Sequence, residues 1–166
     1  MTLFKILPIV LFLAGPAGAQ ELVFSMQATD ACLSTAAPGT EAACIGRSAE
    51  SCMAASEAGG SNLGAAACYG KEAAAWDARL NDSYRTAIAR AREADADMVG
   101  MSITPPSQEE ALRQMQQAWI PYRDAKCEYV YSLFQGGTGG GPASSACLME
   151  ETAHQALYLQ QKLRDF

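Results

Sequence analysis

Polar and apolar residues recur along this chain at spacings of three and four, and no segment alternates with the period of two that a half-buried strand needs. Residues 65–96 are rich in Ala, Glu, Arg and Leu and contain no proline, which predicts one long helix. The connector Gly100-Met101-Ser102-Ile103-Thr104-Pro105-Pro106 breaks the pattern. Ser107, with Glu110 three residues on, has the form of a capping box and opens a second helix to about Phe134. Pro121 falls inside that helix and is expected to kink it. Beyond the glycine-rich stretch 136–142, a third helix from about Ser145 to Arg164 carries Leu148, Thr152, Ala156, Leu159 and Leu163 on one stripe. Two short helical pieces, 28–35 and 41–55, precede all of these and are divided by Pro38-Gly39. The expected fold class is all-α: a small helical domain built on a long antiparallel hairpin, with a third C-terminal helix and short N-terminal helices.

The two long helices carry matching stripes. Asp77, Leu80, Asn81, Tyr84 and Ile88 lie on one face of the first, and Leu112, Gln116, Trp119, Arg123 and Cys127 on one face of the second. A hairpin centred near Gly100 sets Asp77 against Arg123, Asn81 against Trp119, Tyr84 against Gln116 and Ile88 against Leu112. That register gives each polar group a partner: a carboxylate for the guanidinium, and amides for the Trp N–H and Tyr O–H. Residues so placed glue two helices together. The competing use of the same set is a partner-binding face. Asp124 falls off the stripe, to be either exposed or the cap of a neighbouring element.

Residues 1–19 read differently. Lys5 precedes an apolar run from Ile6 to Ala14, and the segment ends Ala17-Gly18-Ala19. A positive start, a short apolar stretch and an A-x-A site describe a secretory signal, expected to be cleaved near Ala19. The run is too short to span a bilayer, which takes about 20 apolar residues. The first cysteine, Cys32, lies far from the cleavage site, so neither a lipid anchor nor a membrane anchor is expected. The destination is the periplasm or the exterior.

Export changes the meaning of the cysteines. Cys32, Cys44, Cys52, Cys68, Cys127 and Cys147 are even in number and bound for an oxidising compartment, so three disulfides are expected among 15 possible connectivities. The turn at Pro38-Gly39 brings Cys32 toward Cys44, and Cys127 and Cys147 flank the glycine stretch. That leaves Cys52 with Cys68. No close cysteine pair exists and His154 is the sole histidine, so no metal and no other cofactor is expected. With 12 Lys+Arg against 18 Asp+Glu the net charge is −6. Loss of Lys5 leaves 11 cations against 18 acids, a net −7. Nucleic acid, whose phosphates need clustered Lys/Arg, is thereby excluded as a partner.

Two motifs resemble a known family. Cys52, Cys68 and Trp76-Asp77-x-x-Leu80-Asn81-x-x-Tyr84 resemble the first half of the lysozyme inhibitor LprI-like N-terminal family. Gln116-x-x-Trp119-Ile120-x-Tyr122-Arg123-Asp124-x-x-Cys127, followed by Gly136-Gly137 and Cys147, resembles its second half. The resemblance implies a secreted or periplasmic, helical, disulfide-bonded protein that inhibits lysozyme, the muramidase that cuts peptidoglycan. It divides the chain into a signal peptide (1–19), an N-terminal helical extension (20–51) and an LprI-like domain (52–166). In the third helix, Gln155 stands where the family tends to have an arginine, three residues after Thr152.

Catalysis finds little footing. Glycoside cleavage needs two carboxylates about 5–10 Å apart across a cleft. Glu109-Glu110 and Glu150-Glu151 sit at expected helix starts, where acids favour the macrodipole. The chain therefore reads as a non-enzyme that binds a lysozyme or another muramidase, or else as an envelope interaction module without effect on lysozyme. Gly136, Gly137, Thr138 and Gly139 form a glycine-rich loop without the Lys-Ser/Thr of a phosphate loop, expected to be mobile and the first place to look for inhibitor contacts. The connector with Met98, Met101 and Ile103 comes second.

Overall fold

A computed structural model describes residues 22–102 and 105–165. The expected signal segment and Ile103-Thr104 of the connector lie outside the described residues. Five helices follow one another: α1 (Gln27–Thr35), α2 (Arg47–Ala54), α3 (Asn62–Asp97), α4 (Gln108–Ser132) and α5 (Gly140–Asp165), with a 3-10 turn at Glu41–Cys44. No strand occurs among the described residues. The fold is all-α.

At 36 residues, α3 is the spine, about 54 Å long at 1.5 Å per residue. It begins where Ser61 accepts a hydrogen bond from the Gly64 amide and ends before Gly100, which adopts φ +87°. α4 runs back along it in the expected hairpin and continues through Pro121. α5 returns parallel to α3 and makes the more extensive seam with it. Cys68, Trp76 and Leu80 on α3 form one apolar cluster with Met149, Ala153, Ala156 and Leu159 of α5. The two alanines are small enough to let the helices approach closely. α4 lies over this pair and buries fully only Cys127, with Leu112, Met115 and Trp119 packed partly against the core.

The disulfides join neighbouring elements. Cys32–Cys44 ties α1 to the 3-10 turn, Cys52–Cys68 ties α2 to α3, and Cys127–Cys147 ties α4 to α5. Closing a 20-residue loop such as the last restricts the unfolded chain by about 3 kcal/mol.

One acidic residue organises the other end of the bundle. Glu72 follows Cys68 and precedes Trp76 by one helical turn each, and its side chain is fully buried. Its Oε1 accepts from Thr29 Oγ1 (2.9 Å), the Gly46 amide (2.9 Å) and Trp76 Nε1 (3.1 Å). Its Oε2 accepts from the Ala49 amide at 2.6 Å. Thr29 and Ser48 complete the network by exchanging hydrogen bonds, each amide donating 3.0 Å to the other's hydroxyl. The carboxylate thus lies at the N-terminus of α2, where unpaired amides and the helix dipole both favour an anion. Gly46 presents its amide from φ +88°, a conformation that a β-carbon strains, and such an atom would lie 3.3 Å from Met149 Cε. Residues 22–51 are therefore bound into the core, with Leu22, Phe24, Met26, Leu33 and Ile45 packed on the apolar cluster.

The start of α4 departs from the expected capping box. Ser107 Oγ does accept from the Glu110 amide (3.1 Å), but the Glu110 carboxylate accepts from Gln114 in place of returning to Ser107. Asp95 of α3 supplies the missing acceptor across the connector, taking the Ser107 hydroxyl (2.7 Å) and the Gln108 (2.7 Å) and Glu109 (3.0 Å) amides. Those bonds, led by the Ser107 hydroxyl, hold the Asp95 carboxyl below its ordinary value of 3.8.

Glu72→Ala leaves four buried donors without an acceptor and is expected to lower unfolding free energy by about 3–5 kcal/mol, measured by urea denaturation with the disulfides intact; a loss under 1 kcal/mol refutes the assigned role. Glu72→Gln should also destabilise, because its amide group brings a donor into a ring of donors. For Asp95 the folded-state value is depressed, so its stabilisation is present at neutral pH and disappears as pH falls through and below 3.8. Asp95→Asn should flatten the acid limb of the stability–pH curve relative to the parent, and parallel curves would contradict the cap.

Candidate functional site

The motif residues occupy two surfaces. On α3, Leu80 is buried in the core, while Asp77 and Asn81 are exposed and bond to each other, Asn81 Nδ2 donating to Asp77 Oδ2 at 2.9 Å. Tyr84 is half-buried against the core. On α4, Gln116 Oε1 accepts from Gln155 Nε2 of α5 at 3.1 Å. Trp119 is half-buried, and the Arg123 guanidinium stacks 5.0 Å from its ring centre. Arg123 also donates through Nε (2.9 Å) and Nη2 (2.7 Å) to Asp124 Oδ1 and through Nη1 to Thr152 Oγ1 of α5 at 3.5 Å. Tyr122 and Asp124 are exposed.

This arrangement corrects the expected register. Near the connector α3 and α4 do pair as expected of a hairpin centred by Gly100, with Arg92 donating to Glu109 at 2.9 Å beside the Asp95 cap. Farther along, Asp77 pairs with Asn81 and not with Arg123, which bonds chiefly to Asp124 on its own helix, and the contacts that Gln116 and Arg123 make to another helix are with α5. Two facts account for the difference. The buried edge of α3 is the 68–72–76–80 row, rotated one residue (about 100°) from the row of Asp77 and Asn81. α5 then fills the place beside α4, with Lys126 bridging Glu151 at 2.7 Å and Cys127 bonded to Cys147.

The glycine stretch is shorter and tighter than expected. α5 begins at Gly140, so only residues 133–139 turn the chain. Pro142 is tolerated because the first helical turn needs no amide donor. Gln135 (φ +49°) and Gly136 (φ +83°) make the reversal, and the Gly137 amide donates to the Phe134 carbonyl at 2.7 Å. The Phe134 ring covers Gly139, where a β-carbon would fall 2.8 Å from it. Thr138 Oγ1 accepts from Asn62 Nδ2 at 2.9 Å, fastening the turn to the start of α3. Gly136, Gly137 and Thr138 are exposed, and Tyr129, Tyr131, Leu133 and Phe134 expose apolar surface beside them.

Of the acids considered for catalysis, Glu109, Glu110 and Glu151 are engaged elsewhere, and Glu150 is exposed. Glu109 receives Arg113 and Arg92, which hold its carboxyl below the usual range, and Glu151 receives Lys126. The helix-start reading holds for Glu109-Glu110, in the first turn of α4, but not for Glu150-Glu151, which lie mid-helix in α5. His154 is exposed, and no group of three His, Cys, Asp or Glu among the described residues is placed to hold a metal. Sequence reading missed Glu72 and Asp95. The available signal for Glu72 was its position one turn from both Cys68 and Trp76, on the row that is buried.

The chain matches the family described as lysozyme inhibitor LprI over residues 52–159, about two thirds of its length. The chain belongs to the LprI family. An uncharacterised protein of Rhizobium meliloti (strain 1021) is 32% identical over 94 residues, covering 57% of this chain and 68% of that one. An uncharacterised 17.7 kDa protein from the puhA 5' region of Rhodobacter capsulatus is 26% identical over 155 residues, 93% of each chain. No solved structure matches. The LprI segment starts at Cys52 in α2 and ends at Leu159 in α5, so it contains Glu72 and Trp76 but not the Thr29, Gly46 and Ala49 donors.

Arg123→Lys keeps the charge but loses the planar stack on Trp119 and the forked contact with Asp124. The expected result is a loss of about 1–2 kcal/mol in stability with a red-shifted tryptophan emission, measured by denaturation and fluorescence; an unchanged spectrum and midpoint would sink the assignment.

Proposed function

We propose that this protein works outside the cytoplasm, after removal of residues 1–19, by binding and inhibiting a lysozyme-type muramidase. The observation that carries the reading is the LprI match over residues 52–159. Three bridges with no free cysteine among the described residues support an oxidising compartment, and no helix among those residues is long and apolar enough to cross a membrane. The net charge of −7 that remains once residues 1–19 and their Lys5 are gone, 11 cations against 18 acids, favours encounter with a basic enzyme, an effect on association rate more than on affinity.

For the contact surface we propose the turn 133–139 with its apolar flank. Gly136, Gly137 and Thr138 project beside exposed Tyr129, Tyr131 and Leu133, with Gly139 beneath the Phe134 ring, and aromatic side chains are enriched among the anchors of protein interfaces. The turn is braced by the Cys127–Cys147 bridge and by Asn62, so little order is lost on binding. The exposed Asp77, Asn81, Tyr122 and Asp124 lie on other parts of the helices and are secondary contacts in this reading.

The test is lysozyme turnover of cell-wall substrate with purified oxidised protein, using several lysozyme types. Stoichiometric loss of lytic rate is expected, and Leu133→Glu or Tyr129→Glu should weaken inhibition at least about tenfold (1.4 kcal/mol) without changing the fold. Full lytic rate at large excess of the parent protein against all lysozymes tested rejects the function. Inhibition that survives both substitutions rejects the surface alone. Capture of a different envelope protein would move the assignment to an interaction module.

A further inference from the structure

The muramidase reading leaves one concavity unused. Near the connector the three long helices enclose a groove of about 610 Å³, within the range of about 300–1,000 Å³ typical of small-molecule sites. Buried Ala91 and Leu159 form part of its lining, with Leu112, Met115 and Leu163. Further alanines of α3 and α4 line it too, and their short side chains keep it open.

Its charge is the reverse of the molecule's. The chain has 18 acids against 12 Lys+Arg, yet among the described residues no acid lines this groove and the charged side chains that do, Arg90 and Lys162, are both cations. Arg90 Nη1 donates to the Leu163 carbonyl at 2.6 Å, which fixes the guanidinium at the end of α5 and leaves its other N–H groups without a protein acceptor among the described residues. Lys162 Nζ stands 5.8 Å from the Tyr158 ring centre and 3.8 Å from Asp165, an exposed ion pair of small energy that an incoming anion can replace.

We propose that this groove binds a long-chain fatty acid, its hydrocarbon tail along the alanine-rich walls and its carboxylate between Arg90 and Lys162. An extended apolar peptide fits the same charge pattern less well. Apart from the two cations, the lining side chains offer hydrogen bonds only from Gln108 and the Tyr158 hydroxyl, whereas a peptide brings an amide and a carbonyl at every residue, each costly to bury without a partner. An alkyl chain brings none. This site shares no residue with the turn 133–139 and stands whether or not a muramidase is bound.

The experiment titrates the full oxidised protein with the fluorescent fatty acid cis-parinarate below its micellar concentration, then competes with palmitate or with hexadecanol. Saturable one-to-one binding is expected, with palmitate displacing the probe at least about tenfold better than the alcohol. The pair Arg90→Gln and Lys162→Gln should remove that preference while the helical circular dichroism is unchanged, and Lys162→Gln alone should reduce it. Ala111→Trp, substituted at an exposed lining position, should weaken both competitors about tenfold or more. Absence of saturable binding overturns the proposal. So does a carboxylate preference that persists in the double variant, or tighter displacement by an apolar peptide, including one copied from residues 1–21, than by palmitate.

Discussion

A fully buried carboxylate must find donors, and Glu72 finds four of them in three separate stretches of chain. Burying an ionisable group costs several kcal/mol unless hydrogen bonds replace water, so the site is satisfied only when α1, the N-terminus of α2 and the spine are all in place. That requirement turns a geometric preference into an all-or-none condition. It explains why residues 22–51, with only short helices of their own, are held in a defined position on α3. It also fixes the Trp76 indole, whose N–H would otherwise be an orphan at the centre of the apolar cluster.

Around this anchor, the rest of the bundle is assembled by apolar packing and crosslinks. α3 and α5 share a close seam through Ala153 and Ala156, and α4 is strapped across them by Cys127–Cys147, Lys126–Glu151 and the Gln116–Gln155 contact. The result is asymmetric. The end near the glycine turn is drawn tight by a disulfide, whereas the connector end, held by the Asp95 cap and Arg92–Glu109, stays open enough to leave a cavity. A rigid projecting turn and an accommodating groove therefore sit at opposite ends of one scaffold, and each suits a different kind of ligand.

Much of this fold is legible in the sequence. The absence of proline from 65–96, the breaker-rich connector and the Ser107 cap mark out the long helices through local physics alone. Where reading failed, the cause was non-local. Glu72 looked like one more solvated acid, because three of its four donors lie 23 to 43 residues away and two of those are backbone amides. Asp95, likewise, caps a helix other than its own. The register error arose because Trp76/Leu80 and Asp77/Asn81 have the same spacing, and periodicity does not say which of two adjacent rows faces inward. Pairing the helices in sequence order also left out α5, which supplies Gln155 to Gln116 and Thr152 to Arg123. For the glycine stretch, composition suggested a long loop, but Gly140-Gly141-Pro142 satisfies the lenient rules of a first helical turn. The family motifs themselves were legible as words, yet what they touch was not.

The crosslinks join cysteines that are consecutive in the chain, with separations of 12, 16 and 20 residues and no interleaving. A polypeptide threaded N-terminus first into an oxidising space thus meets each partner before the next pair emerges. A dithiol oxidase that joined sulfhydryls in order of appearance would yield this connectivity directly, without an isomerase.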